Sequence, residues 1–292
     1  MNHLLALGLV VLDCVVRAWR IQLAVWTAGG TLGFVDAVRL NLYGEAASTL
    51  TPNRLGGEPA RFVGLTEARV RPVTSLVGIG VEVAAEWPVF MLMGAAMVAY
   101  YVPDWPTEAR HWLHRHHAGE LLAIEVVALL ILGSIYFLQR MARSGAIRHR
   151  VRRQWRVAWA HVRRAPKWVL GAGAVLTAVS FAARALILPA LAFGTPSPPF
   201  LQMFFGALTL VQAPLVVPLP SGGGGIEVVF LSGFAGDFGS RQVAMLLWWR
   251  VYTAVLLTVL GAVALIQRIG YRAATQLLKI GWLRRSKEKE TV

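Results

Sequence analysis

The chain has 292 residues, 56% of them hydrophobic and 15% charged, with a formal net charge of +14. This apolar share exceeds the roughly 45–50% of an average soluble domain, which excludes an ordinary water-soluble fold. The single cysteine, Cys14, excludes an internal disulfide, a four-thiolate metal site and a CxxC redox motif. The basic charge lies beside apolar runs rather than on a separable domain, which argues against a nucleic-acid partner.

In chain order, apolar runs near 4–28, 73–101, 119–140, 168–193 and 241–267 each reach the roughly 20 residues a helix needs to cross a bilayer. The first lacks a basic leader and carries Asp13, Arg17 and Arg20, so no cleavable signal peptide is expected. Between the first two runs, 34–51 holds Asp36, Arg39, Asn41 and Glu45, and the piece from Glu58 to Arg69 has only twelve residues. Neither suits a lipid-facing span. A re-entrant helical hairpin over about 34–69, turning at Pro52-Asn53-Arg54-Leu55-Gly56-Gly57-Glu58, fits better, because irregular backbone survives at membrane depth only inside protein or beside water.

The connection 102–118 balances its charges and reads as the outer side. His111, His114 and His117 recur there every three residues, a spacing open to zinc but equally to a solvated interfacial stretch. After the linking helix 119–140, the segment 141–167 is basic, with Ile147, Val151, Trp155, Trp159 and Val162 at helical spacing. That pattern predicts an amphipathic helix on the inner leaflet. From Arg140 to Lys167 there are ten Arg or Lys and no acid, and the tail 268–292 carries seven against two Glu. The positive-inside rule places both in the cytoplasm and the N-terminus outside, in a cytoplasmic (inner) membrane.

Sliding the sequence by 168 positions sets Pro52 on Pro220. At nearly the same offset Arg17 meets Arg184, Glu58 meets Glu227, and Glu82 meets Arg250. Such ordered matches predict a duplication. Its copies are 4–101 and 168–267, and the second hairpin covers about 199–238. The second hairpin's first arm, from Pro199 to Val217, is apolar enough to be read as a span instead. One linking helix between the copies makes their topology inverted. The predicted fold is therefore an all-α polytopic membrane protein of inverted repeats, each with two spanning helices around a re-entrant hairpin, a plan recurrent among transporters.

The motifs Pro52-x-Arg54-x-Gly56-Gly57-Glu58-x-x-Arg61 and Pro220-x-Gly-Gly-Gly-Gly-x-Glu227, with the Glu82 helix and Arg250 followed by Gly261, resemble the flippase-like transmembrane family typified by the membrane region of bacterial lysylphosphatidylglycerol synthase. The resemblance spans nearly the whole chain. It implies lipid translocation or a related lipid-handling role. It also implies an Asn just before the first motif, which is replaced here, with Ser48 among the polar residues close by. No aminoacyl-transfer domain follows the membrane region, so synthesis of lysylphosphatidylglycerol is not expected of this chain.

Ionisable side chains at membrane depth demand partners, water or function. Arg54, Glu58 and Arg61 at the first tip, with Gly222, Gly223, Gly224 and Glu227 at the second, are the candidate headgroup ligands. An arginine forks onto phosphate oxygens, and a half-helix N-terminus offers free N–H groups to the same anion. Glu58 and Arg61 have an alternative as an i, i+3 salt bridge, and the glycine run as a tight turn. Arg17 and Arg184 are candidates to hand a phosphate between leaflets; Asp13 is the alternative partner of Arg17. Glu82 and Arg250 read as a midplane ion pair or gate, and Glu86, one turn beyond Glu82, as its partner in a proton-coupling carboxylate pair.

The tetraglycine lacks the Lys and Ser/Thr of a nucleotide loop. With no nucleophile, metal or nucleotide motif found, enzymatic activity and a cofactor are not expected. The expected function is translocation, without ATP hydrolysis, of an amphipathic lipid with a phosphate-containing, anionic or zwitterionic headgroup. The alternatives are a membrane-embedded lipid-modifying enzyme using Glu58 or Glu227 as base, or a non-transporting partner of one. Expected protein partners are a second copy or a lipid-synthesis enzyme.

Overall fold

A computed structural model describes residues 2–51, 54–101, 166–216 and 223–267, and the described residues form helices without strands. In order these are α1 (His3–Thr27), α2 (Phe34–Leu50), α3 (Gly57–Glu67), α4 (Pro72–Tyr101), α5 (Lys167–Ala192), α6 (Phe200–Val216), α7 (Gly225–Gly233) and α8 (Gly239–Gln267). Of these, α4, α5 and α8 are long and apolar enough to cross a membrane. The predicted linking helix 119–140, the basic segment 141–167 up to residue 165, the basic tail 268–292, and the histidine cluster lie outside the described residues.

α1 is as long as a span, but Asp13, Arg17 and Arg20 interrupt its apolar surface. At i, i+4 and i+7 they share one helical face. That face cannot meet lipid without partners, so it is turned inward onto α5, α4 and α2, while Leu4, Val11, Trp19 and Trp26 on the rest of α1 are exposed. Ala6 and Val10 cluster with Ile187, Leu188 and Leu191, whereas Ala24 and Ala28 cluster with Val169. The two helices are therefore antiparallel. α4 runs alongside α5, with Val77 near Val169 and Phe90 against Phe181.

The first hairpin closes by small-residue contacts between α2 and α3. Thr51 Oγ1 donates to the Ala47 carbonyl and accepts from the Gly56 N–H, both at 2.8 Å. A Cβ on Gly56 would lie 2.7 Å from the Ala47 oxygen, and one on Gly57 would collide with Ser48 Oγ. The motif glycines are thus required for helix-to-helix approach, and one of the expected free N–H groups is spent on Thr51. Arg54 is turned into the left-handed region, φ 58°, which a non-glycine residue adopts only when its surroundings enforce it.

The second hairpin is built on rings. Phe230, Phe234 and Phe238 stack against one another beneath Trp249, and Gly206 of α6 leaves the space that Phe234 fills. α6, the arm that sequence left open between spanning and re-entering, is described over 17 residues, up to Val216. α8 contains one π-helical turn, Val251–Val255, directly after Arg250. Beyond it, Gly261 lies against the backbone of Leu42, which locks α8 onto α2.

Candidate functional site

The polar face of α1 meets charges from four other segments near the middle of the helices. Glu45 of α2 is the first hub. Arg17 reaches its Oε1, Arg54 donates to both carboxylate oxygens at 3.1 and 3.0 Å, and Arg184 Nη2 lies 3.1 Å from Oε1. Glu82 of α4 is the second hub, bound by Arg20 at 3.0 Å (Nε) and 2.6 Å (Nη2) and by Arg61 at 3.1 Å. Asp13 completes the network, accepting from Arg184 Nε at 2.8 Å and from the Ser180 hydroxyl. Buried charge is tolerable here because each hub is paired and hydrogen-bonded.

These arginines surround a cavity of about 190 Å3, lined by Arg17, Arg20, Arg54, Arg61 and Arg184 with Glu58 and Glu86. Ser48, Ser180 and Gln212 add neutral polar groups, and Phe90 and Phe181 an edge-to-face ring pair with centroids 5.8 Å apart. Three buried nitrogens on lining residues have no hydrogen-bond acceptor among the described residues: Arg61 Nε, Arg184 Nη2 and Gln212 Nε2. The Arg184 nitrogen is close enough to Glu45 for charge attraction but is misaligned for a hydrogen bond. All three are donors, and unmet buried donors mark a place for an acceptor-rich group.

An apolar groove of about 320 Å3 along α4 adjoins the cavity. It is lined by Val83, Glu86, Trp87 and Phe90, the cavity itself sharing Glu86 and Phe90. On the other side a hollow of about 30 Å3, bordered by Arg54, Arg184, Ile226 and Arg250, leads toward the second hairpin.

The predicted site residues are distributed as follows. Arg17, Arg54, Glu58, Arg61 and Arg184 line the cavity together, and Glu58 makes its i, i+3 pair with Arg61 at 3.2 Å. Glu82 and Arg250 do not pair with each other as expected: Glu82 is held by Arg20 and Arg61, and Arg250 by Glu227 at 2.7 Å. The reason is that α3 and α1 intervene on the Glu82 side, while α7 packs beside Arg250. Likewise Asp13 turns to Arg184 rather than to Arg17, one turn along its own helix. Gly223 and Gly224 form the turn into α7, Gly224 at φ 79°, and border none of the three cavities above; Gly222 lies outside the described residues. Glu86 stands 3.6 Å from Arg20 Nη2, which is 2.6 Å from Glu82, so this arginine sits between the two carboxylates.

Sequence reasoning missed Arg20, Ser180 and Gln212, and noted Glu45 only as a charge in an awkward segment. The shared face of Asp13, Arg17 and Arg20 was the signal available for a buried polar helix.

A family model for the lysylphosphatidylglycerol synthase transmembrane region matches residues 2–261. The chain belongs to that family. It is a membrane protein of a lipid-related family, and the match covers every residue of the arginine cavity. No match was found among curated proteins.

Proposed function

We propose that this protein translocates an amphipathic, phosphate-bearing lipid across a cytoplasmic membrane without hydrolysing ATP. The observation that carries the reading is the five-arginine cavity, with its unmet donors, lying beside an apolar groove with which it shares Glu86 and Phe90. A phosphate is a multivalent acceptor that guanidinium forks match, and an acyl chain needs an apolar track that begins where the headgroup ends. One ligand with both parts fits both spaces.

Two further features support transport rather than mere binding. The antiparallel packing of α1 on α5 is the relation that an inverted duplication imposes on its equivalent helices. The hairpins α2–α3 and α6–α7 both border the path from the cavity to Arg250, as re-entrant segments around a midplane site do. The charge asymmetry of the sequence orients the basic segments inward.

The test is lipid scrambling or flipping by the purified chain in proteoliposomes carrying a fluorescent glycerophospholipid. The wild type is expected to move it, and Arg61→Ala to lose the activity while remaining folded and monodisperse. Wild-type rates in that variant would sink the headgroup assignment, and an inactive wild type would sink transport itself.

A further inference from the structure

Among the described residues the charges around the cavity balance. Arg17, Arg20, Arg54, Arg61 and Arg184 face Asp13, Glu45, Glu58, Glu82 and Glu86, five guanidiniums against five carboxylates. An anionic headgroup entering this balanced set leaves one uncompensated negative charge among helices that face lipid, which is costly at low dielectric. The cluster regains neutrality when one carboxylate takes a proton.

Geometry distinguishes which one. Asp13, Glu45 and Glu82 are buried, and each accepts at least two strong interactions from the network. Glu58 lies in the first turn of α3, and Arg61 holds it in a 3.2 Å hydrogen-bonded pair. Glu86 is in mid-helix, and its nearest cation, Arg20, is 3.6 Å away, beyond hydrogen-bond range and already committed to Glu82. The other charged groups around the cavity are Arg17 from α1, Glu58 and Arg61 from α3, Arg54 before it, Arg184 from α5 and Glu82 on its own helix; α6 contributes only neutral Gln212. The far side of Glu86 is the apolar groove.

We infer that seating a net-anionic phosphate headgroup in the cavity is coupled to uptake of one proton by Glu86. The inference rests on the headgroup reading above. The phosphate competes for Arg20, whose contact with Glu86 is the loosest in the network. Glu86 then loses the only close positive neighbour it has among the described residues and accepts a proton from water. When the headgroup leaves, Arg20 returns and the proton is released. The transport step is thereby proton-linked, and the sequence's proton-coupling pair is resolved into a fixed carboxylate, Glu82, and a titrating one, Glu86.

Calorimetric titration of the purified full chain in neutral detergent with short-chain phosphatidylglycerol tests this, in two buffers of different ionisation enthalpy near neutral pH. The expected result is a binding enthalpy that varies with buffer by about one proton per bound lipid. In Glu86→Gln, at a residue that lines the cavity, that dependence is expected to vanish from whatever binding the variant retains; in Asp36→Asn, remote from the cavity, binding and its buffer dependence are both expected to remain. Wild-type binding without buffer dependence overturns the coupling and leaves the headgroup site standing. Absence of wild-type binding overturns both. Persistent proton uptake in Glu86→Gln overturns the choice of Glu86, and if that variant does not bind, transport by the wild type decides. A rate that rises on acidifying the loading side supports the coupling, and a rate indifferent to pH defeats it.

Discussion

Arg17 and Arg184, which lie 167 positions apart in the sequence, converge on the same oxygen of Glu45. Each comes from the central pair of antiparallel helices, α1 and α5, and Glu45 comes from the first hairpin. The hub ties the scaffold to the segment that carries Arg54 and leads to Arg61. Removing its charge leaves three guanidiniums without their shared counter-ion. Glu45→Gln is expected to cost on the order of 3–5 kcal/mol, as when one partner of a buried pair is deleted. Thermal denaturation followed by size-exclusion recovery would show it, and an unchanged melting temperature would remove Glu45 from the structural centre.

Gly44 makes room for the Arg61 side chain. A Cβ at this position would sit 2.7 Å from Arg61 Nε and 3.1 Å from its Cγ. The obstacle is a flexible side chain rather than backbone, so Gly44→Ala is expected to fold normally and displace the guanidinium. Phosphatidylglycerol binding should weaken about tenfold, equivalent to about 1.4 kcal/mol, at nearly constant stability. Equal affinity in the variant would show that Arg61 does not set the headgroup position.

Gly261 presents the opposite case. A Cβ there would run into the Leu42 backbone, which cannot rotate away. Gly261→Ala is therefore expected to cost about 1–3 kcal/mol, the usual penalty for overpacking a fixed contact. Gly8→Ala is the control, since nothing lies within 4 Å of its Cβ position, and it is expected to be neutral or to gain up to about 1 kcal/mol of helix propensity. Denaturation curves of the two variants should move in different directions.

The groove on α4 gives a prediction about chain length. Val83→Phe places a ring in the apolar space beside Trp87 and Phe90. Transport of a long-chain phospholipid is expected to slow at least about fivefold, or about 1 kcal/mol. Calorimetric affinity for a short-chain analogue should change little, because the headgroup cavity is untouched. Equal losses for both lipids would place the acyl chain elsewhere.

Much of the architecture was legible because it depends on local patterns. The apolar runs near 73–101, 168–193 and 241–267 coincide with α4, α5 and α8, and the short charged pieces around Pro52 with α2 and α3. The co-lining of the cavity by Arg54, Glu58, Arg61, Arg17 and Arg184 followed from a simple constraint, that ionised groups in a hydrophobic chain must collect where they can be paired. The face formed by Asp13, Arg17 and Arg20 already signalled a helix that could not face lipid on all sides.

Partner choice was not legible. Spacing suggested that Asp13 serves Arg17 and that Glu82 meets Arg250, yet the structure gives Asp13 to Arg184, Glu82 to Arg20 and Arg61, and Arg250 to Glu227. Ion pairing acts over a few ångströms, and only the crossing of α1 with α5, and the seating of α3 against α4, sets those distances. The sequence by itself determined that this chain is a helical membrane protein, because hydrophobicity and helical period are properties of the chain. The tertiary structure decided which charges cancel and left Glu86 loosely held between a polar cavity and an apolar groove, because that depends on which helices meet.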